Sequence, residues 1–353
     1  VTDLDQRIAS VLRERAEGEI DSHRLLHRSR ALGHRRQLRR RAAAGTALAL
    51  VGVLGFVGVA GTDLGGLSGR LPWTAASPTV VAAPVPPRAD GVPGAAQRPE
   101  LVGTDPTVLH LAVDPAAARY LGWGVNVMGV ESVRLDTRDG RAVTVELARS
   151  PELFQGLRVE GLDVNVREAA RPVFDGSVRS VPGDLTTGGL MTWWQPAPGL
   201  YARAAVLGQD RAVLARAVAA VRFDQARRCA APVRLTSLPE GVRLGGCSVD
   251  VTSFPATVNV DLMLYRGSTG TMSVRYRYAN QIAGLRSDSN RTVGGRPAYR
   301  YPQEDTLELL GIPKTHLTAE FGWPGKGFTE ADATTVLAGA TVAKDPGRVE
   351  TWH

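Results

Sequence analysis

From Val130 onward, apolar and polar residues alternate in short runs, and each run stops at a turn. Val130 to Asp136 and Ala142 to Arg149 are two such runs, joined by Thr137-Arg138-Asp139-Gly140-Arg141. An Asp-Gly step between alternating runs signals a β-hairpin, because Gly accepts the positive φ that a tight turn demands. Val258 to Tyr265 and Thr271 to Tyr278 repeat the arrangement around Arg266-Gly267-Ser268-Thr269-Gly270. Further pairs follow: Leu190 to Trp194 and Leu200 to Leu207 straddle Gln195-Pro196-Ala197-Pro198-Gly199, while Thr306 to Leu310 and His316 to Gly322 straddle Gly311-Ile312-Pro313-Lys314-Thr315.

The period then changes from two to 3.6, twice. Asp210 can cap a helix whose Val213, Leu214, Ala217, Val218 and Val221 share one face, opposite Arg211, Arg216 and Arg222. Thr329, with Asp332 three residues on, can cap a second helix with Val336, Leu337 and Ala340 inward. Arg171-Pro172-Val173-Phe174 and Arg296-Pro297-Ala298-Tyr299 also occupy matching places. The pattern predicts an α+β chain with an internal duplication, residues 106–223 and 224–345, each unit an antiparallel sheet with a helix on one face. Residues 346–353 form a C-terminal tail.

Upstream the pattern is different. Ala42 to Gly61 carries no charge and one polar side chain, Thr46. As a helix it would reach ~30 Å, the thickness of a bilayer's hydrocarbon core. It follows Arg35, Arg36, Arg39, Arg40 and Arg41, and no acid lies between Arg24 and Arg41. This predicts a single transmembrane helix acting as a signal anchor, with residues 1–41 cytoplasmic and the rest extracytoplasmic, because basic flanks stay inside. A cleaved signal is the alternative, with Gly58-Val59-Ala60 as a small-residue cleavage site and Arg35-Arg36 resembling a twin-arginine signal. In the tail, Leu4, Ile8, Val11 and Leu12 fall on one helical face, so residues 2–20 offer either a docking face for a cytoplasmic protein or a short helix lying on the membrane. Residues 62–105 hold prolines at 72, 78, 84, 86, 87, 93 and 99 and read as an extended linker.

The net charge of +7 changes meaning once located. Residues 1–41 carry 11 Arg against six acids, so most of the excess sits where anionic headgroups would lie. The outer portion is nearly neutral and has no basic, aromatic-interleaved helix, which argues against a nucleic-acid partner. Two cysteines, Cys229 and Cys247, predict one disulfide in an oxidising compartment, stapling the junction between the units. His110 and His316 are the outer histidines before the terminal His353, and they stand in no nucleophile elbow or zinc-helix motif. Gly325-Lys326-Gly327 has Glu320 where a phosphate loop needs Gly. No catalytic residue, metal ligand or cofactor site is expected.

Trp194, a Pro/Gly turn, Leu200-Tyr201-Ala202-Arg203-Ala204, then Asp210 leading Leu214 and Val218, is similar to the C-terminal motif of a domain of unknown function found outside the membrane in bacterial anti-sigma-type regulators. The stretch Pro232 to Gly241, with Leu238-Pro239-Glu240-Gly241, resembles the opening of that domain. The resemblance covers about 230–345, and 106–223 more loosely. It implies an extracytoplasmic binding or sensing domain. Residues 1–41 contain no Cys and so lack the His-x-x-x-Cys-x-x-Cys pattern of the zinc-binding anti-sigma factors. Two readings follow: a non-enzymatic membrane protein whose repeats bind or sense an envelope ligand and signal to a cytoplasmic partner, or an envelope structural or lipid-handling protein whose tail is only an anchor.

Overall fold

Alternation becomes burial wherever a strand has one covered face. In Thr257–Arg266, Val258, Val260, Leu262 and Leu264 are buried while Asn259 is exposed. The computed structural model describes residues 83–154, 157–159, 162–164, 172–181, 188–268, 270–281, 286–322 and 327–352. The apolar run 42–61, the tail with its arginines at 35, 36, 39, 40 and 41, and the linker as far as residue 82 lie outside the described residues.

In chain order the strands are β1 (Arg88–Pro93), β2 (Val108–Leu109), β3 (Ala112–Val113), β4 (Arg119–Val125), β5 (Glu131–Asp136), β6 (Ala142–Ala148), β7 (Leu157–Val159), β8 (Leu162–Val164), β9 (Asp175–Val181), β10 (Gly189–Ala197) and β11 (Leu200–Leu207). Helix α1 (Arg211–Ala220) follows, then β12 (Val221–Arg222), β13 (Gln225–Arg228) and β14 (Val233–Leu235). The second stretch is β15 (Val242–Asp250), β16 (Thr257–Arg266), β17 (Gly270–Ala279), β18 (Arg291–Val293), β19 (Arg296–Arg300), β20 (Thr306–Leu309) and β21 (Thr315–Glu320), then helix α2 (Glu330–Ala338) and β22 (Ala340–Val342).

Thirteen strands form one sheet, in the order β18-β19-β20-β21-β17-β16-β15-β4-β5-β6-β11-β10-β9. This corrects the expected α+β class. The described chain is mainly β, with one sheet running unbroken where two separate sheet-plus-helix units were anticipated, and no described helix is long and apolar enough to cross a membrane. The physical reason is the pairing of β4 with β15, antiparallel over Gly122–Val125 and Cys247–Asp250. That pairing satisfies an edge that either half alone would leave bare. The folded region also begins earlier than residue 106: β1 pairs with β13, and its proline falls at the strand's end on the outside of a three-stranded sheet, where a missing donor is tolerated.

Outward from the junction the two halves run in the same order. The first is β4-β5-β6-β11-β10-β9, and the second is β15-β16-β17-β21-β20-β19, with β18 added beyond. Each is followed by a helix and a short strand that pairs back, β12 on β3 and β22 on β14. The bulges correspond as well: pairing slips between Tyr120 and Gly122 in β4 and between Leu244 and Gly246 in β15. Matching Leu121 to Gly245 places Trp123 opposite Cys247 in the alignment of halves. It also maps the pair Val125–Cys247 onto the pair Val249–Trp123, as a two-fold axis through Gly124 and Ser248 requires.

One core unites both halves on one face of the sheet, with Leu135, Val145, Leu264 and Tyr276 joined to residues of both helices. Asp210 caps α1 by accepting the N–H groups of Ala212 and Val213, and the helix buries Val213, Leu214, Ala217 and Ala220. Thr329 and Asp332 form a capping box on α2, which buries Ala333, Val336 and Leu337. Each large apolar side chain so buried contributes about 1.5 to 3 kcal/mol. On the opposite face of the first half, Val181, Met191, Trp193 and Ala205 make a second, smaller cluster.

Candidate functional site

The face of the sheet away from the shared core carries a groove of about 830 Å³ at the junction of the halves. Its form follows from one strand. On that face β4 presents Gly122 and Gly124, so the floor has no side chain over these two rows, while Leu121 of the same strand also lines the groove. The same glycines permit the close approach of β15: a Cβ at Gly124 would stand 2.5 Å from the Cys247 carbonyl oxygen, and one at Gly122 2.7 Å from that of Val249.

The neighbouring strands supply the walls, row by row. Gly122 pairs with Arg134 on one side and Asp250 on the other. Because nothing projects between them, the Arg134 guanidinium reaches across and donates to Asp250 at 3.0 Å and to the Thr252 hydroxyl at 3.0 Å. In the next row Gly124 lies between Ser132 and Ser248, which places a hydroxyl on each side of it. At the other end Arg119 donates to Asp136 at 3.0 Å, and Asp136 also accepts the N–H of Gly140 in the hairpin turn at 3.1 Å. Burial pushes the Asp250 carboxyl up, but the Thr252 N–H and hydroxyl and the Arg134 guanidinium outweigh it and hold the group below the ordinary aspartate value. Two cations face two carboxylates, so the groove is polar and close to neutral. It can hydrogen-bond an extended polar ligand, and nothing in it is arranged as a nucleophile and base.

The residues singled out from sequence lie elsewhere. Cys229 and Cys247 are bonded, with Cα atoms 6.5 Å apart, and tie the segment after β13 to β15 on the core side of the sheet. His110 is buried against Glu131, its Nδ1 2.7 Å from Oε1, and the same carboxylate accepts the N–H of Gly103 at 2.8 Å and that of His110 at 2.5 Å. His316 stands 2.5 Å from Glu308, whose other oxygen accepts the Tyr301 hydroxyl at 2.6 Å. Both histidines are therefore engaged with buried glutamates, far apart in the sheet order. Gly327 packs on Gly270, and its carbonyl accepts Arg266, while residues 325 and 326 lie outside the described residues. Among the described residues no group of His, Cys, Asp and Glu could hold a metal ion. The groove residues went unread in the sequence. Their signal is Gly122-Trp123-Gly124, two glycines on one face of an otherwise bulky strand.

No family model and no curated protein matches the chain. Among solved structures it is similar to the crystal structure of MucB in complex with MucA(peri), at 12% identity and a TM-score of 0.21 over 67% of this chain and 92% of that one. It is similar also to the complex structure of Pseudomonas aeruginosa MucA/MucB, at 13% identity and a TM-score of 0.20 with the same coverage. Likeness this faint carries no inference about fold, partner or role.

Proposed function

We propose that this chain is a non-enzymatic, membrane-attached protein of the bacterial envelope whose outer domain binds a polar envelope component in the junction groove. The observation that carries the reading is the polar groove at the junction, whose side-chain-free row at Gly122 is spanned by the Arg134–Asp250 pair, groups that a polar ligand can engage by hydrogen bonds. The apolar run 42–61 with its arginine flank supports attachment to the cell membrane with the N-terminus cytoplasmic, and the disulfide supports an oxidising location for the rest. Residues 2–20 supply the contact to a cytoplasmic protein partner.

The full chain, incubated with isolated envelope polymer, should co-sediment with it. Ser248→Trp, which fills the groove from an exposed position, should release it while leaving thermal unfolding unchanged. Equal sedimentation of both proteins, or of neither, removes the groove from the account. Protease added to spheroplasts should digest residues beyond 62 and spare the tail; the opposite pattern overturns the orientation.

A further inference from the structure

The two returning strands are followed by segments that cross to the opposite half. After β12 the chain runs through β13 to Cys229, which is bonded to Cys247 of β15, in the second half. After β22 it runs on to Trp352, whose ring lies against Trp123 of β4, in the first half, with centroids 6.2 Å apart. Trp123 and Cys247 hold equivalent places, since Trp123 pairs with Val133 as Cys247 does with Leu262. Each half is thus followed by a strap fastened to the same position of the other half's first strand. The two fastenings differ in kind.

The first strap is held by backbone and by covalent bond. Strand β13 lies in a ladder between β1 and β2, the Cys229 N–H donates to the Thr107 carbonyl at 2.7 Å, and the disulfide completes the attachment. On the second, the last hydrogen bond to the rest of the domain runs from the Ala343 N–H to the Pro232 carbonyl, at 2.7 Å. From 344 to 352 the hydrogen bonds and ion pairs among the described residues stay inside the segment. The Gly347 N–H donates to the Asp345 carboxylate at 3.0 Å, the Thr351 hydroxyl to the Asp345 carbonyl at 2.7 Å, and Trp352 Nε1 to the Pro346 carbonyl at 3.1 Å. Val349–Thr351 closes as a single 3-10 turn, and Arg348 pairs with Glu350 at 3.9 Å. A segment whose polar groups are satisfied internally breaks none of these bonds when it lifts off. Its hold on the domain is apolar: the half-buried Trp352 ring meets Trp123 and, edge to face at 6.1 Å, Phe254.

From the self-contained hydrogen bonding and the aromatic anchor we infer that residues 344–352 are a releasable strap, which lifts off as one unit and uncovers the Trp123 and Phe254 rings while the sheet beneath stays folded. Covering those rings makes the closed form the resting one. Open, the strap leaves an aromatic slot on the core side of β4, since Trp123 alternates with the glycines that face the junction groove. The device therefore stands independently of ligand binding in that groove.

Hydrogen exchange on the full chain in nanodiscs tests it. The amides of Arg348, Thr351 and Trp352, which close the strap's own turns, should exchange together and about a hundredfold faster than those of β4, β13 and β15. Trp352→Ala should bring the strap to the rate of an unstructured peptide while those strands stay at least a hundredfold slower than it, and Trp352→Phe should keep part of the protection. Brief trypsin treatment of the folded chain should cut after Arg348 at least tenfold faster in Trp352→Ala than in the native sequence. Strap and sheet exchanging at one rate in the native chain would mean that the segment leaves only on global unfolding, and would overturn the proposal. So would strap protection that survives Trp352→Ala, or cutting after Arg348 at equal rates in both proteins.

Discussion

The two halves of the sheet share strand order, bulges, helix placement and returning strand, yet they spend their equivalent core positions differently. The first half puts Tyr120 and Trp123 where the second has Leu244 and Cys247. The Tyr120 hydroxyl accepts the N–H of Val113, and Trp123 packs at a tilt against Trp352 with centroids 6.2 Å apart, so these positions of the first half are held by aromatic packing, with a recess of about 550 Å³ beside Tyr120. The equivalent positions of the second half are held by the Cys229–Cys247 bond, with a recess of about 330 Å³ beside it. The comparison teaches that a repeated backbone plan fixes where side chains meet, while the choice of side chain decides whether the meeting place is filled, stapled or left open.

The largest effect that could break this contrast is truncation of the aromatic plug. Trp123→Ala should cost ~3 to 5 kcal/mol in urea unfolding, whereas Leu244→Ala should cost ~2 kcal/mol or less, because it is half-buried beside space already open. Equal losses would mean that the halves are packed alike. Next in size is the staple. Cys229→Ser with Cys247→Ser should lower stability by ~3 kcal/mol by the chain-entropy account, with hydrogen-exchange protection falling in β14 to β16 more than in β4 to β6. A uniform loss across both halves would deny the bond a local role.

Smaller still are the helix caps. Asp210→Ala and Thr329→Ala should each cost ~1 kcal/mol, read as faster exchange in the first turn of α1 and α2 respectively. The smallest effect is a pH dependence of α2. Arg266 donates to both carboxylate oxygens of Asp332, and Thr329 adds its N–H and hydroxyl, so the carboxyl lies below its ordinary value despite some burial. A lowered folded-state value means that the contribution is complete above the unfolded value and is lost as the pH falls through the folded one. Protection of α2 should therefore weaken below about pH 4, and Arg266→Gln should reduce that dependence, leaving the part due to Thr329. An unchanged acid profile in this variant would place the sensitivity in another group.

Much of the local structure was legible because it is written at short range. Thr137 to Arg141 announces a hairpin between β5 and β6, Asp210 and Thr329 announce the helices, and two lone cysteines allow one pairing. The continuous sheet was not legible, since β4 and β15 meet through backbone hydrogen bonds that no periodicity encodes, and it turned two expected α+β units into one β structure. Strand β1 was hidden by prolines that read as linker until β13 is known to lie beside it. The groove was hidden for a related reason: Gly122 and Gly124 matter through what stands two strands apart, Arg134 and Asp250, and that row exists only after the junction forms. The arginine-flanked apolar run and the tail's apolar face lie outside the described residues, so the structure adds nothing to them.

The axis through Gly124 and Ser248 has a consequence for how the two halves meet. Two strands pairing antiparallel about a two-fold axis present the same surface to each other, which is the isologous geometry of a symmetric homodimer. A chain holding a single copy of this plan would end its sheet at the bare edge of β4 and would meet its own duplicate there, in this register, at a cost in concentration that one polypeptide does not bear. The seam between the halves thus has the geometry that a symmetric dimer of single copies would have. Within one polypeptide the two sides of such a seam need not be identical, and Tyr120 and Trp123 stand on one side where Leu244 and Cys247 stand on the other.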